Sequence, residues 1–308
     1  MRVAVVGVGH LGRHHARILS TLSGVTLTAV ADVNGPRADE VAASSGATAV
    51  GDWRALLGQV DAVTIATPTE SHAEIAAAFL AAGTHVLVEK PMTRTLNEAD
   101  RLIAQAQTAG VCLAVGHTER FNPAVATVRP LLHEPRFIEV HRLGTFPERS
   151  LDIDVVFDLM IHDLDLVLDI VGAEVSALEA VGVPVLTSRV DIANVRLRFA
   201  NGCIANLTAS RISRDRVRKI RFFQRSAYLS VDYAAQEAEQ WRLVPRPGQL
   251  PAIEGGKIEV TREEPLKREL EDFVAAVNER RPPAVTGDQG RAALALAARV
   301  VERMEMSQ

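Results

Sequence analysis

The stretch VAVVGVGHLGRHHARIL at residues 3–19 restricts this chain more than any other. Gly7, Gly9 and Gly12 stand in G-x-G-x-x-G spacing, with an apolar β-rich run before them and a helix-periodic run after them. The next apolar run, VTLTAVAD, ends in Asp32, twenty residues beyond Gly12. Three spaced glycines alone are a weak signal. Between a strand and a helix, with an acid closing the second strand, they mark a dinucleotide-binding βαβ unit. Gly7 permits the tight turn, Gly9 lets a pyrophosphate approach the backbone, and Gly12 lets the helix pack closely on the strand. His10 and Leu11 complete the loop, and the helix N-terminus offers unpaired N–H groups to phosphate. Asp32 is expected to accept from the adenosine ribose hydroxyls and to repel a 2′-phosphate, which selects NAD over NADP. Arg37 lies near enough in sequence to weaken that selection.

The βαβ pattern continues through the first third. DAVTIAT, HVLVEKP and VCLAVGH read as further strands, and SHAEIAAAFLAAG and NEADRLIAQAQTAG as helices stopped by Gly83 and Gly110. Strands apolar on both faces, alternating with helices, predict a doubly wound parallel sheet covered on both sides. After about residue 118 the pattern changes. FNPAVATVRPLL and VVFDLMIHDLDLVLDIVG are helical in periodicity, and residues 174–262 alternate as strands around an Asn-Gly turn in FANGC. Two helices close the sequence, EPLKRELEDFVAAVNERR and GDQGRAALALAARVVERM. The expected architecture is α/β: a Rossmann domain over 1–118, then an α+β domain over 119–308 with a large, open, mostly antiparallel sheet. With 308 residues, 47% of them hydrophobic, the chain can bury two such cores. A net charge of −4 gives no reason to expect nucleic acid or a membrane surface as partner. Two distant cysteines, Cys112 and Cys203, read as reduced thiols of a cytoplasmic protein, and no signal peptide or membrane span is expected.

In open parallel sheets ligands bind at the carboxyl ends of the strands. Thr67, Pro68 and His72 follow the third apolar run, Glu89, Lys90 and Pro91 the fourth, and Gly116 and His117 the fifth. These residues therefore join the glycine loop as candidates for lining the cofactor cleft. A surface ion pair is the plainer reading of Glu89 and Lys90. His117 is also expected at a substrate pocket, together with Arg120 and Asn122, which follow it. Farther on, Asp158 and His162 stand four apart, on one helix face. Asp163 and Asp165 fall off that face, so no metal site is expected. SRISRDRVRKIRFFQR carries Arg211, Arg214, Arg216, Arg218, Lys219, Arg221 and Arg225 against one acid, Asp215. It reads either as a phosphate-binding strand face or as a solvated or interface surface.

The runs GVGHLGRHHARIL, ATPTESHAEIAAAFLAAGTHVLVEKPMTRTLNEADRLI and DLMIHDLDLVL together resemble the Gfo/Idh/MocA oxidoreductase family, over essentially the whole chain. That resemblance implies an NAD-dependent enzyme acting on sugars, cyclitols or related compounds. It implies Lys90 as the active-site lysine, with a cis bond to Pro91, and His162 as acceptor of the substrate hydroxyl proton. Lys90 would then stabilise charge on that oxygen while Asp158 binds a substrate hydroxyl or orients His162. A histidine suits the task because its ordinary pKa of about 6.5 lets it exchange protons near neutrality. GHTERFNPAV, RFIEVHRLGTF and DIANVRLRFANGCIANLTASR resemble a bacterial subgroup, the UDP-N-acetylglucosamine 3-dehydrogenases. This implies a nucleotide-sugar substrate on the route to lipid A-type precursors. A free sugar or cyclitol is the alternative substrate, and an NAD-binding regulator without turnover is the alternative of another class. The family implies a homodimer or homotetramer through the C-terminal sheet.

Overall fold

The computed structural model of the protein describes residues 1–146, 153–248 and 250–306. It divides into two compact units, Met1–Thr118 with Leu266–Ala292, and Glu119–Pro265 with Ala293–Gln308.

In the first unit the order is β1 (Arg2–Val6), α1 (Gly12–Leu19), β2 (Thr26–Ala31), α2 (Gly35–Ser45), β3 (Thr48–Val50), β4 (Ala62–Ile65), α3 (Thr69–Ala81), β5 (His85–Glu89), α4 (Leu96–Ala109) and β6 (Leu113–Gly116). The strands form one parallel sheet in the order β3-β2-β1-β4-β5-β6. The order reverses between β1 and β4, which puts the ligand crevice at their carboxyl ends. Strands β4 and β6 are buried along their whole length, so they lack polar alternation in sequence. Helix α4 opens on a reciprocal Thr95–Glu98 capping box and closes at Gly110, whose φ of 66° is left-handed. Together these fix the chain that leaves the mouth of β5.

The second unit contains α5 (Pro123–Val128), β7 (Phe137–Leu143), α6 (Ile161–Val171), β8 (Val175–Val183), β9 (Ile192–Phe199), β10 (Ile204–Ser210), β11 (Val217–Gln224), β12 (Ala227–Asp232), β13 (Glu237–Val244) and β14 (Ala252–Ile258). Its eight strands run in the order β14-β13-β12-β11-β7-β10-β9-β8. All pairs are antiparallel except β7 with β10. Strand β7 sits mid-sheet although sequence alternation did not single it out, because His141 and Arg142 interrupt its apolar signal. One face packs Val140, Leu207, Phe222 and Leu229 against Leu164 and Val167 of α6. The other carries an aromatic row: Phe137 and Phe223 have ring centroids 5.4 Å apart, and Phe223 and Tyr228 5.2 Å. Trp241 continues it as the register partner of Tyr228.

Helices α7 (Pro265–Glu279) and α8 (Gly287–Glu305) close the chain. The expected boundary gave all of 119–308 to the second domain, and residues 266–292 correct it. Leu266, Leu270, Phe273 and Val274 of α7 enter the same buried cluster as Val3, Val5 and Val30 of the first sheet. Burying each such side chain stabilises by about 1.5–3 kcal/mol, so the helix follows its apolar face back to the first sheet. Among the described residues no helix is long and apolar enough to cross a membrane.

Candidate active site

The glycine loop joins β1 to α1. Gly7 has φ 83°, and a Cβ there would lie 2.7 Å from Thr67 Cγ2. A Cβ on Gly12 would lie 1.8 Å from the Gly7 carbonyl oxygen, so α1 starts hard against the loop. Above Gly9 the nearest atom to an added Cβ is Arg37 Nη1, at 3.8 Å, which leaves room for a group resting on the backbone. His10 is exposed, whereas Leu11 is partly buried against the first core. Asp32 closes the crevice from β2: its Oδ2 accepts the Val8 N–H at 2.9 Å and its Oδ1 the Asn34 N–H at 2.8 Å. Arg37 Nη1 stands 3.7 Å from Asp32 Oδ2. The cradle of small residues, the free helix end and the anchored carboxylate fit an NAD adenosine and pyrophosphate.

The turn after β5 is built from both sides. Glu89 is buried, and its Oε1 lies 3.1 Å from His15 Nε2 on α1. Its Oε2 accepts the Lys90 backbone N–H at 3.3 Å. Gly116, ending β6, faces that carboxylate so closely that a Cβ would lie 2.8 Å from it. Glu89, expected at the cofactor, is thus held inside the sheet by His15 of α1. Lys90 is half-buried, and its bond to Pro91 is cis. His72 is also corrected: it is 1% exposed, with Nδ1 3.0 Å from the Pro91 carbonyl and Nε2 2.8 Å from the Thr67 carbonyl. Both its nitrogens are used within the protein. Thr67 and Pro68 occupy the mouth of β4, and the Thr67 hydroxyl accepts from Ser71 at 2.8 Å. His117 is buried at the end of β6, and the next residue, Thr118, donates to the buried carboxylate of Glu269 at 3.3 Å. Glu269 lies on α7, and 151 positions separate it from Thr118. That separation left no local signal.

In the second unit, Asp158 lies within a wide turn, Val156–Met160, closed by i→i+5 bonds, and His162 is in the first turn of α6. The expected regular helix is interrupted there. Four residues of the wider turn fall just short of a revolution, so positions 158 and 162 keep to one side. Asp163, beside His162, is buried and takes a forked pair from Arg142 of β7, at 2.6 and 2.9 Å. Arg142 Nη1 also reaches Glu119 Oε1 at 3.0 Å. Burial works against the Arg142 charge, but Asp163 and Glu119 outweigh it and hold its pKa well above the usual value. This buried pair pins the start of α6 to the sheet.

Arg120 and Asn122 are not open to a substrate. Arg120 forks onto Asp165 at 2.7 and 2.8 Å and reaches Asp169 at 2.5 Å. Asn122 caps α5 through the Ala124 N–H at 3.1 Å and donates to the Tyr233 carbonyl at 3.1 Å. The basic run is likewise divided by acids supplied from other elements. Arg211 is buried on Asp191 at 2.8 Å, Lys219 faces Asp232 at 3.6 Å and Arg221 faces Glu139 at 2.7 Å. Arg214, Arg216 and Arg218 keep exposed side chains, and Arg218 stands opposite Arg142 in the β11–β7 register. Partial desolvation, then Arg142, lower the Arg218 pKa. Among the described residues no group of three or more His, Cys, Asp or Glu could hold a metal ion.

A doubly wound sheet with a fitted dinucleotide cradle, and an ionisable turn at the next strand mouths, defines a dinucleotide-binding protein with acid–base groups to hand. Comparison with known proteins narrows this. The model described as "Oxidoreductase family, NAD-binding Rossmann fold" matches residues 1–117, and the GFO/IDH/MocA C-terminal domain model matches residues 134–229. UDP-N-acetylglucosamine 3-dehydrogenase of Acidithiobacillus ferrooxidans is 42% identical over 97% of this chain and 96% of its own. A solved structure of that enzyme superposes with a TM-score of 0.94 over 99% of this chain and 98% of that one, at 41% identity. Myo-inositol 2-dehydrogenase of Thermotoga maritima is 28% identical over 96% of this chain and 94% of its own. The chain belongs to the Gfo/Idh/MocA family of NAD-binding oxidoreductases.

Proposed function

We propose that the protein oxidises a secondary hydroxyl of a nucleotide sugar to a ketone, the 3-hydroxyl of UDP-N-acetylglucosamine or of a close analogue. The observation that carries this reading is 42% identity, across 97% of the chain, to an enzyme of that name. When bound, NAD supplies the acceptor for the carbinol hydride. Gly7, Gly9, Gly12 and Asp32 hold its adenosine and pyrophosphate. His162 takes the hydroxyl proton, and Lys90 donates a hydrogen bond to the same oxygen as its negative charge grows. Asp158 orients His162 or binds a neighbouring hydroxyl. Arg216 and Arg218 are assigned to the diphosphate, because a guanidinium fork matches paired phosphate oxygens. The aromatic row Phe137, Phe223, Tyr228 and Trp241 is assigned to a second copy of the chain, which supports a homodimer or homotetramer. Two free cysteines support a cytoplasmic setting.

The test is direct. Purified protein given NAD and UDP-N-acetylglucosamine is expected to raise the nicotinamide absorbance and to yield a product two hydrogens lighter by mass. Lys90→Ala is expected to abolish turnover while NAD still binds. Reduction of NAD by myo-inositol or a free sugar, with none by the nucleotide sugar, would overturn the substrate assignment.

A further inference from the structure

We propose that His72 is a positioning residue for Lys90, acting as a donor from both ring nitrogens and tying the lysine turn to the loop beneath the glycine-rich turn. This rests on the role given to Lys90 above. Nδ1 lies 3.0 Å from the Pro91 carbonyl and Nε2 lies 2.8 Å from the Thr67 carbonyl. Carbonyl oxygens only accept. A neutral imidazole has one N–H, and its second nitrogen presents a lone pair. One of the two contacts would then oppose two lone pairs. Both contacts become hydrogen bonds only when each nitrogen carries a proton.

The surroundings divide on that charge. Burial at 1% exposure disfavours it and lowers the ring's pKa. The Thr67 and Pro91 carbonyls oppose the shift, as do the carboxylates of Glu89 at the end of β5 and Glu70 on α3. An apolar side chain of similar size would fill the space without this conflict, so the ring's hydrogen bonds are what the site uses. They join two functional segments. Thr67 Cγ2 fills the space where a Gly7 Cβ would fall, which sets Thr67 directly under the cofactor loop. Pro91 follows Lys90 in the chain, and Lys90 has its own N–H on Glu89 at 3.3 Å. A rigid ring between the mouths of β4 and β5 therefore fixes the lysine backbone with respect to the loop that holds the dinucleotide. An ångström of misplacement at a reacting group can cost about a hundred-fold in rate.

Two measurements test this. His72→Gln keeps one donor arm, and His72→Leu keeps volume and neither arm. With whichever substrate reduces NAD, the folded variants are expected to lose about ten- to a hundred-fold in kcat while NAD affinity stays within about two-fold. A folded His72→Leu with wild-type kcat overturns the positioning role, because filling the space then suffices. The second measurement needs neither variant nor substrate. In wild-type protein labelled with 15N-histidine, His72 is expected to show two slowly exchanging ring N–H signals toward the acid end of a titration from about pH 5 to about pH 8. A single ring proton throughout overturns the two-donor clamp. Failure of UDP-N-acetylglucosamine to react removes the substrate assignment and leaves both readouts of His72 standing.

Discussion

Replacing Gly116 by alanine puts a methyl group into the carboxylate of Glu89. The added Cβ would lie 2.8 Å from Cδ and Oε1 and 2.9 Å from Oε2, so the carboxylate must withdraw by about 0.6 Å to reach the 3.4 Å at which ordinary contact begins. It has little freedom to do so. Glu89 is 5% exposed, its Oε1 is 3.1 Å from the fully buried His15 ring, and its Oε2 holds the Lys90 N–H at 3.3 Å. Overpacking of this kind costs about 1–3 kcal/mol. Losing a hydrogen bond to a buried charged group costs about 1.5–3 kcal/mol. The two overlap, so the expected destabilisation is about 2–4 kcal/mol, read as a fall in urea midpoint with unchanged slope. Because the Lys90 N–H loses its acceptor, kcat is expected to fall about ten-fold or more, with NAD affinity near the wild-type value. Shortening the acid restores the space: Gly116→Ala with Glu89→Asp is expected to be less damaging than the two single changes added together. A Gly116→Ala protein with wild-type midpoint and kcat would refute the claim that this contact positions the lysine turn.

Three further outcomes are expected. Burial alone would raise the Asp191 pKa, but Arg211 and the Leu186, Thr187 and Val185 N–H groups more than offset it and hold it below the usual carboxylate range. The resulting stability is complete above the unfolded value of about 3.9 and is lost as pH falls through the folded pKa. Asp191→Asn is therefore expected to cost about 3 kcal/mol at neutral pH, with the gap to wild type closing in acid; a gap that does not change with pH in denaturation curves contradicts this. Burial pushes the Cys112 thiol up to about 12 and the Cys203 thiol up to about 11, so both should resist an aromatic disulfide reagent in native protein at mildly alkaline pH and react after denaturation. Rapid native labelling would show that the thiols are not held protonated. Arg218→Ala is expected to raise KM for a nucleotide sugar about ten-fold or more and to leave KM for NAD unchanged, and an unchanged nucleotide-sugar KM would remove Arg218 from the diphosphate assignment.

What the sequence made legible follows the range of the forces concerned. Gly7, Gly9, Gly12 and Asp32 could be read together because turn geometry and strand–helix alternation act within some thirty residues, and the same holds for the helix stops at Gly83 and Gly110. Charge could not be read that way. Of the seven basic residues of 211–225, Arg211, Lys219 and Arg221 looked unopposed because their partners stand on other elements: Asp191 ends the loop before β9, Asp232 is on β12 and Glu139 on β7. A buried cation must find a carboxylate, and sheet register rather than sequence proximity decides which one. Arg120 shows the cost of missing this. Next to a strand mouth it read as a substrate residue, yet Asp165 and Asp169, one helical turn apart on α6, consume its guanidinium. Glu89 and His72 were placed at the correct edge of the sheet, but their polar atoms turn inward to His15, Thr67 and Pro91. Elements that bring ionisable groups to a strand mouth also need buried groups to hold them there, and in sequence the two kinds are indistinguishable. At the mouth of β5, Lys90 is half-buried while Glu89 and His72 are sealed, and that difference in exposure is what supports giving Lys90 the proposed contact with substrate and the other two the proposed positioning.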